Sequence, residues 1–318
     1  MHDIWNPWHG CVKVSPGCKN CYMMCLDNRR DITDSTTVRK IKSNFELPLK
    51  KNRQKEFKIK AGERLRVNMT SDTFIDQADD MRDDMWAIIR ARPDVIFWLL
   101  TKRPERIADH LPADWDNGNN YENVSLNITC ENQDMFNILW PIFEKILAKH
   151  KGICIAPILG PIDITPALAS GQIEEIHIGG ENYDNPRMCD YEWIEDLSRQ
   201  CHQYKINMHW YESGTVIKAG DKINTISIKQ NQARVAGASR LNCFYGKPHY
   251  ILKDPDDHHI LQSDELYVPV YNSRDCFMCG NQNACNGCDP KCMYRKETDQ
   301  TLTYDQLVSL QKMTVHKN

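Results

Sequence analysis

The chain has 318 residues, 41% hydrophobic and 26% charged, with a formal net charge of -3 and a pI near 6.4. That length suits one large α/β barrel, or one domain with an appendage, and the composition is that of an ordinary soluble enzyme. The charge balance argues against a general nucleic-acid coating protein, and the longest apolar run, Val95 to Leu100, is far too short to span a bilayer.

The first residues lack the basic and apolar regions of a signal peptide, so a cytoplasmic location is expected. In that compartment the 14 cysteines are not expected to form a disulfide framework. Nine of them gather in two groups: Cys11, Cys18, Cys21 and Cys25, then Cys276, Cys279, Cys285, Cys288 and Cys292.

In chain order, a short strand at Ile4-Trp5 leads into the first group, spaced C-x6-C-x2-C. Three thiolates are one too few to close a four-ligand site, so a centre held by them keeps a position free, as catalytic sites do. The Ser15-Pro16-Gly17 turn lets the sulfurs of Cys11, Cys18 and Cys21 converge. An open iron–sulfur site fits this pattern. A zinc site completed by His9 or by Cys25, one helical turn beyond Cys21, fits it equally well on spacing alone.

From Arg39 to Arg66 the sequence carries 11 Lys or Arg against 3 Glu. The bland reading is a solvated excursion, and the functional one a patch that faces RNA, DNA or phosphate through residues 39–66.

Six further β-type segments follow, each ending in polar residues. They are Leu65, Val67 and Met69 before Thr70-Ser71-Asp72; Val95 to Leu100 before Thr101-Lys102-Arg103; Val124, Leu126 and Ile128 before Thr129-Cys130-Glu131; Ile153 and Ile155 before Pro157; Ile176 and Ile178 before Gly179-Gly180-Glu181; and Ile206, Met208 and Trp210 before Glu212. Helical spacing separates them, as in Met81, Met85, Ile88 and Ile89, a face that Pro93 ends, and in Tyr191, Ile194, Leu197 and Cys201. The βα period predicts a complete or partial parallel β/α (TIM-like) barrel over residues 1–214. Its active site would lie at the carboxyl ends of the strands, where Asp72, Lys102, Arg103, Glu131, Glu181 and Glu212 fall.

After Gly214 the pattern changes to short β-type runs, then the second cysteine group and an amphipathic helix through Tyr304, Leu307 and Leu310. We expect a small cysteine-rich C-terminal lobe over residues 215–318. The run Cys276-x2-Cys279-x5-Cys285-x2-Cys288-x3-Cys292 predicts a second iron–sulfur cluster or a structural zinc. Its CxxC pairs stand too close together for an ordinary zinc ribbon.

Taken together, these stretches resemble the three-cysteine-motif family of phage- and mobile-element-borne proteins, which look like relatives of radical S-adenosylmethionine enzymes. The matching residues are Trp5-Asn6-Pro7, Gly10-Cys11, Ser15-Pro16-Gly17-Cys18-x-x-Cys21-Tyr22, Ser71-Asp72-x-Phe74, Leu100-Thr101-Lys102-Arg103-Pro104, Glu131-Asn132, Leu159-Gly160-Pro161-Ile162-Asp163 and Gly179-Gly180-Glu181, in the family's order. The resemblance implies a 4Fe–4S cluster on Cys11, Cys18 and Cys21, with S-adenosylmethionine chelated to its open iron. An electron donor would drive cleavage of the sulfonium to a 5′-deoxyadenosyl radical. It further implies cofactor contacts from Thr70, Ser71, Asp72, Lys102, Glu131 and Glu181, with Thr70-Ser71-Asp72 at the amine. Two features depart from the usual pattern: the spacing is C-x6-C-x2-C rather than C-x3-C-x2-C, and Gly179-Gly180-Glu181 falls on a late strand. The expected function is a radical S-adenosylmethionine enzyme acting on an unidentified substrate, with nucleic acid or nucleotide favoured. The alternative is a non-catalytic zinc- or cluster-stabilised nucleic-acid-binding protein.

Overall fold

A computed structural model describes residues 4–32 and 34–267. Its main sheet has 7 strands, which we number β1 (Ile4–Trp5), β2 (Arg64–Val67), β3 (Ile96–Thr101), β4 (Val124–Thr129), β5 (His150–Ile155), β6 (Glu175–Gly179) and β7 (Asn207–Glu212). Every neighbouring pair is parallel, and the spatial order is the chain order. A parallel sheet wound always in one direction curls rather than opening flat, and here it forms a half-barrel. All seven strands expected from the sequence are present, which makes the barrel partial.

The convex face is apolar. Leu65, Val67, Phe97, Leu99, Leu126 and Ile176 alternate along their strands into one buried core. Helices cover it, among them α2 (Asp79–Arg90), α3 (Gln133–Phe143) and α4 (Tyr191–Tyr204), whereas α1 (Tyr22–Arg29) follows the cysteine loop and contacts His9, Met69 and Asp184. Met85, Ile88 and Ile89 of α2 and Tyr191, Ile194, Leu197 and Cys201 of α4 are buried, as their spacing requires. Asn132 caps α3 by accepting from the Met135 N–H at 3.0 Å, and Asp190 caps α4 through Glu192. Lys151 on β5 caps the other end of α3. Its buried ammonium donates to the carbonyls of Phe143 at 2.7 Å and Ile146 at 2.9 Å.

The core does not stop at residue 214. A hairpin of Val216–Ala219 and Lys222–Thr225 pairs with Cys189–Asp190, and helix α5 (Lys229–Ala238) packs near β7. Ile217, Val235, Leu241 and Cys243 join the barrel's own core. The boundary expected at 214 therefore coincides with no break in packing, because this stretch covers apolar surface that an open half-barrel leaves bare. Cys276, Cys279, Cys285, Cys288 and Cys292, and the expected helix through Leu307, lie outside the described residues.

The basic excursion is divided. Arg64 and Arg66 sit on β2, with Arg64 buried against Glu175 at 3.0 Å. The rest runs along the outer side of β1 to a turn at Lys51–Phe57. Arg92, just before β3, holds Pro48 and Ile59 by their carbonyls. Exposed Lys51, Arg53, Lys55 and Lys58 thus stand at the amino-terminal end of the barrel, away from the strand ends where a site is expected.

Gly180, one residue past β6, has the backbone of Ser213 and Gly214 pressed against it. A Cβ there would lie 2.2 Å from the Ser213 carbonyl oxygen. Gly180→Ala is expected to force the β6 and β7 ends apart and lower stability by about 1–3 kcal/mol. Urea unfolding of the variant, with its midpoint unchanged, would contradict that packing role.

Candidate functional site

The loop from Cys11 to Cys21 lies across the carboxyl rim of the half-barrel, and successive strand ends hold it. Beyond β2, the Thr70 carbonyl accepts from the Gly10 N–H at 3.2 Å, and the Ser71 hydroxyl donates to the Gly10 carbonyl at 2.5 Å. Arg103, past β3, donates to the Val12 carbonyl at 2.9 Å. Asp72 fixes Arg103 with an ion pair of 2.9 Å and accepts also from Thr101, from the Lys102 N–H and from the Phe74 N–H. Lys102 donates to Ser15 Oγ at 2.9 Å and to Glu131 Oε1 at 2.8 Å.

Glu131, past β4, is fully buried. Its Oε1 also accepts from the Ser15 hydroxyl and from the Gly17 N–H at 2.7 Å. Past β6, Glu181 accepts from Asn20 Nδ2 at 2.8 Å and pairs with Arg187, which donates to the Pro16 carbonyl at 3.0 Å. All six residues expected near the cofactor, Thr70, Ser71, Asp72, Lys102, Glu131 and Glu181, are therefore brought to one place. Through their own atoms or one intervening arginine, they secure the cysteine loop. Arg187 was not anticipated, because nothing in its sequence neighbourhood marks it.

The sulfurs differ in their surroundings. Burial and the Asp72 carboxylate push the Cys11 thiol up to about 12, against the pull of Arg103. Burial also opposes ionisation of Cys18, but the Lys102 ammonium and the Ser15 hydroxyl outweigh it and hold that thiol below its ordinary value. Cys18 is thus the first of the pair to yield a thiolate, the form that binds metal. Cys11, Cys18 and Cys21 are partly exposed and unpaired, whereas Cys25 is buried and raised by burial and by its hydrogen bond to Asp184. Lys102 keeps its proton despite burial because Glu131 faces it, and Glu131 stays below the usual carboxylate range because Lys102 faces it.

Among the described residues, only Asp254, Asp257 and His259 bring three ligand atoms within 4.8 Å of one another. The exposed Asp254 group is a poor ligand set: Asp257 and Glu265 flank His259 and raise it to about 9, so its ring nitrogens carry protons at neutral pH.

Below the loop, the concave face is polar. Arg64, Asn127, Glu175, His177 and His209 are buried on it. Parallel strands are ordinarily apolar on both faces. The signal was present in Glu175-Ile-His177-Ile and Asn207-Met-His209-Trp-Tyr211, where polar residues alternate with the apolar ones that define the strands. Several polar atoms here lack a partner: Glu131 Oε2, Asn127 Oδ1, the Thr70 hydroxyl and both amide atoms of buried Asn68. Buried polar groups are nearly always satisfied, by ordered water where no protein partner is near.

Among the described residues no helix is long and apolar enough to cross a membrane. Comparison with curated proteins and with solved structures gave no match. A family model described as "Protein of unknown function (DUF5131)" matches residues 1–247, and the chain belongs to that family.

Proposed function

We propose that the protein is a radical S-adenosylmethionine enzyme with a 4Fe–4S cluster on Cys11, Cys18 and Cys21. The observation that carries this reading is the fastening of a three-thiol loop by the ends of β2, β3, β4 and β6 at the carboxyl rim. The donor set fits: soft thiolates suit an iron–sulfur cluster, and three partly exposed, unpaired cysteines leave one position of such a cluster open. Cluster and cofactor together would supply reductive cleavage of the sulfonium and a carbon radical able to take hydrogen from a substrate, with electrons from a separate donor. The chain's residues do the rest. Lys102 and Ser15 favour the Cys18 thiolate, and Glu131 fixes the turn at Gly17 while leaving Oε2 for a ligand.

The test is iron, sulfide and zinc content of the full-length protein purified without oxygen, followed by reduction in the presence of S-adenosylmethionine. Four irons on the N-terminal cysteines and release of 5′-deoxyadenosine are expected. Zinc without iron or sulfide would overturn the reading.

A smaller change probes the same loop. A Cβ on Gly17 would sit 2.3 Å from Glu131 Oε1 and 2.8 Å from Lys102 Nζ. Gly17→Ala should therefore lift the turn and cut iron occupancy severalfold, with little loss of secondary structure by circular dichroism.

One observation favours a second reading, a nucleic-acid partner: the exposed cluster of Lys51, Arg53, Lys55 and Lys58. Its distance from the rim makes it an anchor for a long polyanion rather than part of the chemistry. Binding of single-stranded nucleic acid that weakens steeply with salt, and is lost when these four become Ala, is the expected result.

A further inference from the structure

The buried polar residues of the concave face form a connected chain. Tyr211, half-buried near the carboxyl end of β7, is hydrogen-bonded to His177 Nδ1, and the two rings stack 5.6 Å apart. On its other side, His177 Nε2 lies 3.6 Å from Glu175 Oε2. Glu175 also pairs with Arg64 at 3.0 Å and receives His209 Nε2 at 3.3 Å. Trp98 meets His177 edge-on at 5.2 Å and His209 stacks on it at 5.2 Å, so the imidazole cannot turn freely.

Such an assembly is costly as mere filling. Replacing a buried ion pair by apolar residues of similar volume is often neutral or stabilising, and parallel barrels are usually filled with branched apolar side chains. The arrangement follows instead the logic of a nucleophile or base, an imidazole and an orienting carboxylate. Glu175 is held ionised despite burial by Arg64, and its carboxylate lies on the Nε2 side of the imidazole, at 3.6 Å. Nδ1 faces the Tyr211 hydroxyl, which donates to it when the ring proton is on Nε2. Burial lowers His177 to about 4, with Glu175 opposing and His209 and Arg64 acting in the same direction as burial, so the ring is neutral at ordinary pH and the Glu175 carboxylate is the group that compensates an imidazolium formed there.

We propose that Tyr211, His177 and Glu175 form an acid–base relay, with Tyr211 the catalytic residue, that takes a proton from a substrate held in the barrel mouth. The substrate class is a weak N–H, O–H or activated C–H acid. In the step, the substrate's X–H bond breaks and its proton bonds to the phenol oxygen. The original phenol proton passes to His177 Nδ1. The products are substrate anion, neutral Tyr211 and an imidazolium facing Glu175; no electron is transferred. The reverse step protonates a bound anion. Trp98 and the stacked rings give the site an aromatic wall, so a planar heterocycle fits it well.

The relay stands apart from the iron–sulfur reading, and its test uses no cofactor. The probe is 5-nitrobenzisoxazole, whose C–H is taken by any positioned base as its N–O bond opens to a coloured nitrophenolate. The full-length protein should accelerate this reaction, and Tyr211→Phe and His177→Gln should each lower the protein-dependent rate at least about tenfold. Tyr211→Phe keeps the ring stack and loses only a hydroxyl, so an unchanged melting temperature will show that it is folded. Nitrogen-15 spectra of histidine-labelled protein should show His177 as the neutral Nε2–H tautomer. A wild-type rate no higher than that of Tyr211→Phe, or His177 protonated on Nδ1, would overturn the relay. Failure to bind iron would leave it intact.

Discussion

Cys11→Ala, Cys18→Ala and Cys21→Ala should each strip the N-terminal site of iron, whereas Cys25→Ala should keep it. The three cysteines are partly exposed on a loop that is held through its backbone at Gly10, Val12 and Gly17 and through the side chains of Ser15 and Asn20, which leaves little freedom to replace a lost sulfur. Cys25 is one helical turn from Cys21, but it is buried on α1 and bonded to Asp184. A fourth protein thiolate would also close the position that a substrate-binding centre keeps open. Iron per chain, measured on protein prepared without oxygen, decides the matter. Equal loss from Cys25→Ala would mean a closed site, and with it a structural rather than a catalytic centre. Cys18→Ala should be the most damaging of the three for assembly rate, since Cys18 is the thiol that Lys102 favours as thiolate.

The strands were legible because their apolar alternation is strong and their order in space is their order in sequence. Leu65 and Val67, or Ile176 and Ile178, point to a covered convex face whatever lies opposite. The rim residues were legible for a related reason: Asp72, Lys102, Glu131 and Glu181 follow strands directly, and parallel strands bring their carboxyl ends to one edge. What these residues do there was not legible. Pairing of Asp72 with Arg103, and of Glu181 with Arg187, depends on loop paths that no local pattern encodes. The concave network was missed although its letters were visible, because His177 and Tyr211 gain meaning only when β6 and β7 are known to be neighbours. The basic stretch misled in part, since composition counts Arg64 and Arg66 with solvent-facing lysines although they belong to the interior wall.

Lys102→Met should be among the most destabilising single changes at the rim. It removes the cation from Glu131, whose carboxylate is fully buried, and leaves the Ser15 hydroxyl and the Gly17 N–H alone to hold a full charge. Losing one member of a buried pair costs about 3–5 kcal/mol, and the loop that carries Cys18 should loosen at the same time. Glu131→Gln should cost less, because Lys102 retains Ser15 and reaches solvent along one side. The double variant should be more stable than the sum of the two losses predicts, as expected for residues that act through each other. The pH dependence has a definite sign. Glu131 lies below its unfolded value of about 4.3, so its contribution is present above that pH and disappears as pH falls through the lower folded value. Lys102 lies above its unfolded value of about 10.4, so its contribution is present below that pH and is lost as pH rises through the higher folded value. Urea midpoints of wild type and Glu131→Gln should therefore differ at neutral pH and converge in acid. A gap that stays constant from pH 7 down to about pH 3 would mean that the buried pair contributes packing alone, and that the loop owes its position to its other attachments.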